Sequence, residues 1–256
     1  MNIDKHSAWL DLAVRPSSDK VLIFCFPFAG GGSQFYSKWQ RLLGDEVQIC
    51  PVYLPGRERR IREELRENMS DLIDEITEVI APFTNQRYAF FGHSMGALIS
   101  HLLACKLVQK GFPAPNHLFL SARGYFSAES MREKVQASGF DGYLNSILGL
   151  SSQTNRVFAN EELRKIFYPI FRADVHLCAD WQDNFVQPLS TPITAFYGDA
   201  DQSVSIESVR AWQQNTKSYF EMKVVPGDHL FVLEQSEVIC EEINRAFLSD
   251  FISLTA

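Results

Sequence analysis

The sequence predicts an α/β fold: a mostly parallel central sheet flanked by helices, with an α-helical insertion late in the chain. Three observations predict it. Short apolar runs rich in Val, Ile and Phe recur at residues 21–26, 47–52, 88–91, 117–121 and 193–197, as in strands buried on both faces. Stretches with apolar residues at helical spacing separate them, and that alternation calls for right-handed crossovers between parallel strands. From residue 124 to residue 187 the alternation stops and the pattern is helical without clear strands, which marks the insertion.

The bulk properties narrow the class. The chain has 256 residues, and residues 1–256 read as one α/β domain with 124–187 inserted in it as a lid. A hydrophobic share of 46% beside 21% charged residues gives a soluble chain with a sizeable core. The longest apolar run, residues 21–29, is too short to span a bilayer, so no membrane association is expected. No basic stretch followed by an apolar one opens the chain, and the expected location is the cytoplasm. Five scattered cysteines, none in a C-x-x-C pair, read as reduced core thiols. No zinc-ligand spacing appears and no metal is expected. A net charge of −7 argues against nucleic acid as a partner, because no positive face is left to displace phosphate counterions.

Taken in order, residues 1–20 form a polar arm with a turn signal at Pro16-Ser17-Ser18-Asp19, anchored by Trp9 and Leu10. The first strand, residues 21–26, runs into Pro27-Phe28-Ala29-Gly30-Gly31-Gly32-Ser33. Its glycines allow a tight turn with exposed N–H groups, and a helix is expected near residues 35–43. The second strand closes at Leu54-Pro55-Gly56-Arg57-Glu58. The arginines of residues 57–66 alternate with Glu58, Glu63, Glu64 and Glu67, the pattern of a solvated helix start with mixed pairs. Asn68 or Ser70 caps a helix that buries Leu72, Ile73, Ile76, Val79 and Ile80. In the insertion, Asn160 caps a helix whose apolar stripe is Leu163, Ile166, Phe167, Ile170 and Phe171, with Pro169 expected to kink or divide it. A strand at 193–197, a helix at 205–216, a strand at 220–225 and a closing helix at 234–251 complete the chain.

The chemistry is carried by Gly92-His93-Ser94-Met95-Gly96, a G-x-S-x-G between an apolar run and a helical one. That context predicts a sharp strand–turn–helix elbow presenting the Ser94 hydroxyl as a nucleophile. A serine hydroxyl needs a base to take its proton, an acid to orient the base, and donors for the developing oxyanion. Among six histidines, His229 follows a late strand in a Gly-Asp-His loop and is assigned as base. His93 is turned away by the elbow, His101 and His117 read as packed, and His6 and His176 lie in the arm and the lid. Asp199 and Asp201 both follow the strand at 193–197. Asp201 is the preferred acid, with Asp199 supporting the turn. The order Ser, Asp, His is that of the α/β-hydrolase arrangement. The backbone N–H groups of Met95 and of a residue in 28–30, foremost Ala29, are the expected oxyanion donors.

These segments resemble the type II thioesterases that accompany polyketide and nonribosomal peptide synthetases. The likeness runs through Cys25-Phe26-Pro27-Phe28-Ala29-Gly30-Gly31-Gly32-Ser33, Leu54-Pro55-Gly56-Arg57-Glu58-Arg59-Arg60, the elbow, Leu120-Ser121-Ala122-Arg123, Pro169-Ile170-Phe171-Arg172-Ala173-Asp174, Gly198-Asp199-Ala200-Asp201 and Gly227-Asp228-His229. Mapped by position, the family's triad falls on Ser94, Asp201 and His229 and its oxyanion amides on Ala29 and Met95. Phe28 departs from the His or Tyr of many members. The resemblance implies hydrolysis of acyl thioesters on the phosphopantetheine arm of an acyl or peptidyl carrier protein, by a monomer without cofactor. Carrier proteins are acidic near the arm, so Arg57, Arg59 and Arg60 become docking candidates, with a buried, structural Arg57 as the alternative. A small-molecule carboxylesterase, a medium-chain acyl thioesterase and a catalytically silent synthetase partner are the alternatives.

Overall fold

The structure, a computed structural model, describes residues 8–10, 19–148, 152–182 and 184–254. The turn expected at Pro16 to Ser18, and His6, lie outside them. Six parallel strands form one sheet in the order β2-β1-β3-β4-β5-β6. They are β1 (Val21–Phe26), β2 (Val47–Pro51), β3 (Tyr88–His93), β4 (His117–Ser121), β5 (Ile193–Gly198) and β6 (Phe220–Val225).

The continuous apolar character of the inner strands follows from burial on both faces. In β1, Leu22, Phe24 and Phe26 pack with α1 (Met69–Ile80) and α2 (Met95–Gln109) in one core. Val21, Ile23 and Cys25 face the opposite core, with Tyr36 and Trp39 of the 3₁₀ helix Gln34–Arg41. That core also takes Ile239, Ile243 and Phe247 of the closing helix, numbered α7 below (Ser236–Leu254). Asn68 caps α1 as expected, accepting from the Asp71 N–H at 3.1 Å. Trp9 and Leu10 are buried, Leu10 bridging Val52 and the Trp9 carbonyl accepting from the Tyr53 N–H at 2.7 Å. All five cysteines are free and buried. Among the described residues, no helix is long and apolar enough to cross a membrane.

Between β4 and β5 come α3 (Ala128–Leu148), α4 (Ser152–Ala159) and α5 (Glu161–Ala179). Their inward side chains, among them Met131, Tyr143, Leu144, Phe171 and Val175, make a third core that also takes in Ala29. Two details differ from the sequence reading. The break in helical backbone falls at Gly139 in α3 (φ 67°, ψ 159°), whereas α5 runs unbroken through Pro169. Glycine enters the positive-φ region at no steric cost, while Pro169 removes one helical hydrogen bond inside a helix held by the burial of Ile170 and Phe171. The α5 stripe is also buried only in its second half: Leu163 and Ile166 are exposed. The remaining helices are α6 (Ile206–Arg210), continued by the 3₁₀ helix Ala211–Asn215, and α7.

The chain moves outward from β1 to β2, then returns to place β3 on the other side of β1. The crevice at such a reversal, beyond the carboxyl ends of the strands, is where open α/β sheets bind ligands. Here the glycine loop after β1 and the elbow after β3 meet there, since Phe26 pairs with Gly92.

Candidate active site

The elbow has the geometry that its small residues permit. Ser94 joins β3 to α2 with φ 55° and ψ −110°, a region that an L-residue enters only under strain of about 1–3 kcal/mol. A Cβ on Gly92 would strike the Gly96 backbone, and one on Gly96 would strike the Phe26 carbonyl. Strand and helix therefore approach more closely than any larger residue allows. The Ser94 N–H is held by the Ser121 carbonyl at 2.8 Å.

His229 Nε2 lies 2.9 Å from Ser94 Oγ, and His229 Nδ1 lies 2.8 Å from Asp201 Oδ2. Burial works against ionisation of Asp201, but hydrogen bonds from His229 and Ser203 outweigh it and hold the carboxyl below its ordinary range. An ionised Asp201 only accepts, so Nδ1 carries the proton and Nε2 is left to accept the Ser94 hydroxyl. Asp199, the other acid weighed from the sequence, instead accepts from the Gly227 N–H at 2.9 Å and supports the turn.

Two residues join this constellation that the motifs did not announce. Ser203 Oγ lies 2.6 Å from Asp201 Oδ1 and 2.9 Å from His229 Nδ1, and the Ser203 N–H donates to Asp201 at 2.8 Å. His93 is buried, with Nε2 2.6 Å from the His229 carbonyl and Nδ1 2.8 Å from Ser121 Oγ. A carbonyl only accepts, so Nε2–H donates to it and Nδ1 accepts from Ser121. The residue before Ser94 thus ties the His229 loop to the sheet. The Phe28 ring packs against the His93 ring, with centroids 6.0 Å apart.

Burial pushes His93 down to about 3, with the His229 charge adding to it, and burial lowers His101 and His117 to about 4. Unfolded histidine titrates near ~6.5. Between those values the unfolded chain binds protons that the native one refuses. Stability is therefore complete above about pH 6.5 and falls toward pH 4, by up to about 1.4 kcal/mol per pH unit for each histidine. Denaturant titrations at pH 7 and pH 5.5 check this, and equal stability at both would contradict it.

Met95 follows Ser94 directly and Ala29 lines the same cavity, and among the described residues no hydrogen bond runs from either N–H to another protein group. Ser94 and His229 open into a cavity of about 340 Å³ beneath α3 and α5, with Ala29, Met131, Tyr143 and Val175 in its walls. A second cavity of about 230 Å³ lies along residues 28–32, against Phe158, Phe167 and Phe171.

The three arginines expected at a docking rim part company. Arg57 and Arg60 are 4% and 6% exposed. Arg57 pairs with Asp174, while Arg60 binds Glu63 and the Tyr53 carbonyl and covers the Trp9 ring. Sequence spacing read them as solvated, yet each guanidinium has an internal acceptor. Arg59 alone lies on the surface, over the Tyr53 ring.

A serine elbow after β3, an acid after β5 and a histidine after β6 on a parallel sheet define an α/β-hydrolase. Residues 22–247 match the thioesterase domain family, and the chain belongs to that family. It is 33% identical over 245 residues to the gramicidin S biosynthesis protein GrsT of Aneurinibacillus migulanus, covering 94% of this chain and 96% of that protein. Among solved structures, the RedJ thioesterase of the prodiginine pathway in Streptomyces coelicolor superposes with a TM-score of 0.71 at 32% identity, over 89% of this chain and 90% of that one. BorB, the type II thioesterase of the borrelidin biosynthetic cluster, gives 0.76 at 27% identity, over 93% and 97%.

Proposed function

We propose that this thioesterase removes stalled, mis-primed or finished acyl groups from the phosphopantetheine arm of a carrier protein in a polyketide or nonribosomal peptide synthetase. The observation that carries the reading is an oriented Ser94, His229 and Asp201 beside two unengaged N–H groups, at the mouth of an apolar cavity. Relatives named for antibiotic and related pathways support the substrate class.

The reaction runs through two tetrahedral intermediates. Ser94 Oγ attacks the thioester carbonyl carbon while His229 Nε2 takes the hydroxyl proton. The oxyanion accepts from the Ala29 and Met95 N–H groups, the latter at the start of α2, whose dipole favours negative charge. Collapse breaks the C–S bond, and the histidinium protonates the departing thiolate. Water then attacks the acyl-serine while His229 takes its proton; collapse breaks the bond from the carbonyl carbon to Ser94 Oγ, the histidinium returns the proton to Oγ, and the free acid leaves. Residues 124–187 act as a lid, whose underside receives the acyl chain. The protein works as a monomer in the cytoplasm, and Arg59 is the arginine left to meet an acidic carrier.

The test is a panel of matched short and medium acyl groups offered on carrier protein, on coenzyme A and as oxygen esters. The highest kcat/KM is expected on carrier protein. Preference for oxygen esters would favour a carboxylesterase, and turnover of medium chains alone would favour fatty-acid release. No turnover together with no fluorophosphonate labelling would indicate a silent synthetase partner.

A further inference from the structure

We infer that Arg57 and Asp174 are positioning residues for the oxyanion hole, and that their ion pair makes the hole depend on a seated α5. The inference rests on the proposed role of the Ala29 N–H as an oxyanion donor.

Asp174 comes from α5, in the helical insertion, and its side chain is wholly buried. Its Oδ2 accepts the Gly30 N–H at 2.7 Å, the peptide directly after Ala29. Both Asp174 oxygens pair with Arg57, Oδ2 with Nη1 and Oδ1 with Nη2, each at 2.6 Å. Arg57 Nη1 also donates to the Gly31 carbonyl at 3.2 Å. Next to it, the Glu58 carboxylate accepts the Ser33 and Gln34 N–H groups at 2.9 and 2.8 Å. The segment after β2 and helix α5 therefore hold the glycine loop from two sides. Phe171, one turn before Asp174, packs on Gly30 so closely that a Cβ there would touch its ring.

The loop needs such holding. Gly30 stands at φ 75°, and a run of three glycines resists peptide rotation poorly. Asp174 removes that freedom at one peptide. If the Gly30 peptide flipped, the Ala29 carbonyl would face the carboxylate in place of the N–H. The Ala29 N–H belongs to the preceding peptide, whose Phe28 carbonyl accepts the Gly31 N–H at 2.9 Å, so with the Ala29–Gly30 peptide fixed as well, Ala29 is held on both sides.

Stability alone does not account for the pair. A buried ion pair recovers little beyond its desolvation cost, and an apolar pair of similar volume is often as stable. Arg57 Nε is moreover buried with no partner among the described residues. The gain lies in fixed orientation of the loop, and only while α5 is in place.

The test compares wild type with Asp174→Asn and with the apolar double variant Arg57→Met/Asp174→Leu. Readouts are kcat and KM on a short acyl-CoA thioester, the rate of fluorophosphonate labelling at Ser94, and Tm. Loss of an oxyanion donor costs about 10²–10³ in kcat. Both variants are expected to lose kcat by up to about 10²-fold with little change in KM, because the interaction forms in the transition state. Labelling should slow in parallel, since the phosphonyl oxygen uses the same donors. The double variant should keep a Tm near wild type and still be slow. Wild-type kcat and labelling in a folded double variant would overturn the inference. If Asp174→Asn does not fold, the double variant alone decides. If wild type itself turns over no thioester, the parent reading fails, and the labelling rates still decide whether the pair sets the loop.

Discussion

Ser94→Ala is expected to reduce thioester turnover by about 10⁴–10⁶-fold while the fold survives. The variant deletes one oxygen, the atom 2.9 Å from His229 Nε2, and leaves every other group in place. On the proposed mechanism, what remains is binding in the cavity and the Ala29 and Met95 N–H groups, facing a substrate with no attacking group. Those features alone retain some rate over water, which is why the expected loss is finite. The backbone at Ser94 belongs to the elbow and not to its side chain, so circular dichroism and Tm should stay near wild type. Single-turnover assays on acyl-carrier protein measure the loss, and the absence of fluorophosphonate labelling locates it. Wild-type turnover in a folded Ser94→Ala protein would refute nucleophilic catalysis at this residue.

Asp201→Asn is expected to cost about 10⁴ in kcat, and Asp201→Ala to cost less. The ionised carboxylate accepts from His229 Nδ1 and so keeps Nε2 free to take the serine proton. An asparagine turned to donate toward Nδ1 would enforce the opposite tautomer, with Nε2 protonated against Ser94. Alanine imposes no such preference. Ser203 Oγ, already 2.9 Å from Nδ1, has lone pairs that can accept the Nδ1–H bond once the carboxylate no longer takes it. The two variants separate orientation from charge: a loss due only to the missing charge would be equal in both. The measurement is kcat/KM for each against wild type, with Tm as the check on folding.

The ordering of these effects reflects which parts of the molecule announce themselves in the chain. Strands such as β1 were legible because burial on two faces demands an unbroken apolar run. Ser94, Asp201 and His229 were legible as candidates because each follows a strand and ends in a turn, the one place on such a sheet where functional side chains converge. Arg57 was not. Its partner lies 117 residues later, and local spacing shows only a guanidinium among glutamates, the look of a solvated surface. Ser203 reads as an ordinary turn residue until the fold closes it over Asp201. His93 was set aside because the elbow turns it from Ser94, yet the same turn delivers it to the His229 carbonyl. Pro169 does not divide α5: its local cost is real, and the burial of Ile170 and Phe171 works against it.

The positive φ at Ser94 sets reactivity against endurance over evolutionary time. Glycine would occupy the same corner without steric cost, so a copy that lost its nucleophile in that way would shed strain of about 1–3 kcal/mol. Substitutions that relieve such strain commonly stabilise a protein while costing it function. A Ser94→Gly chain is then expected to outlast wild type on heating, so the hydroxyl at this corner is kept at a cost in endurance.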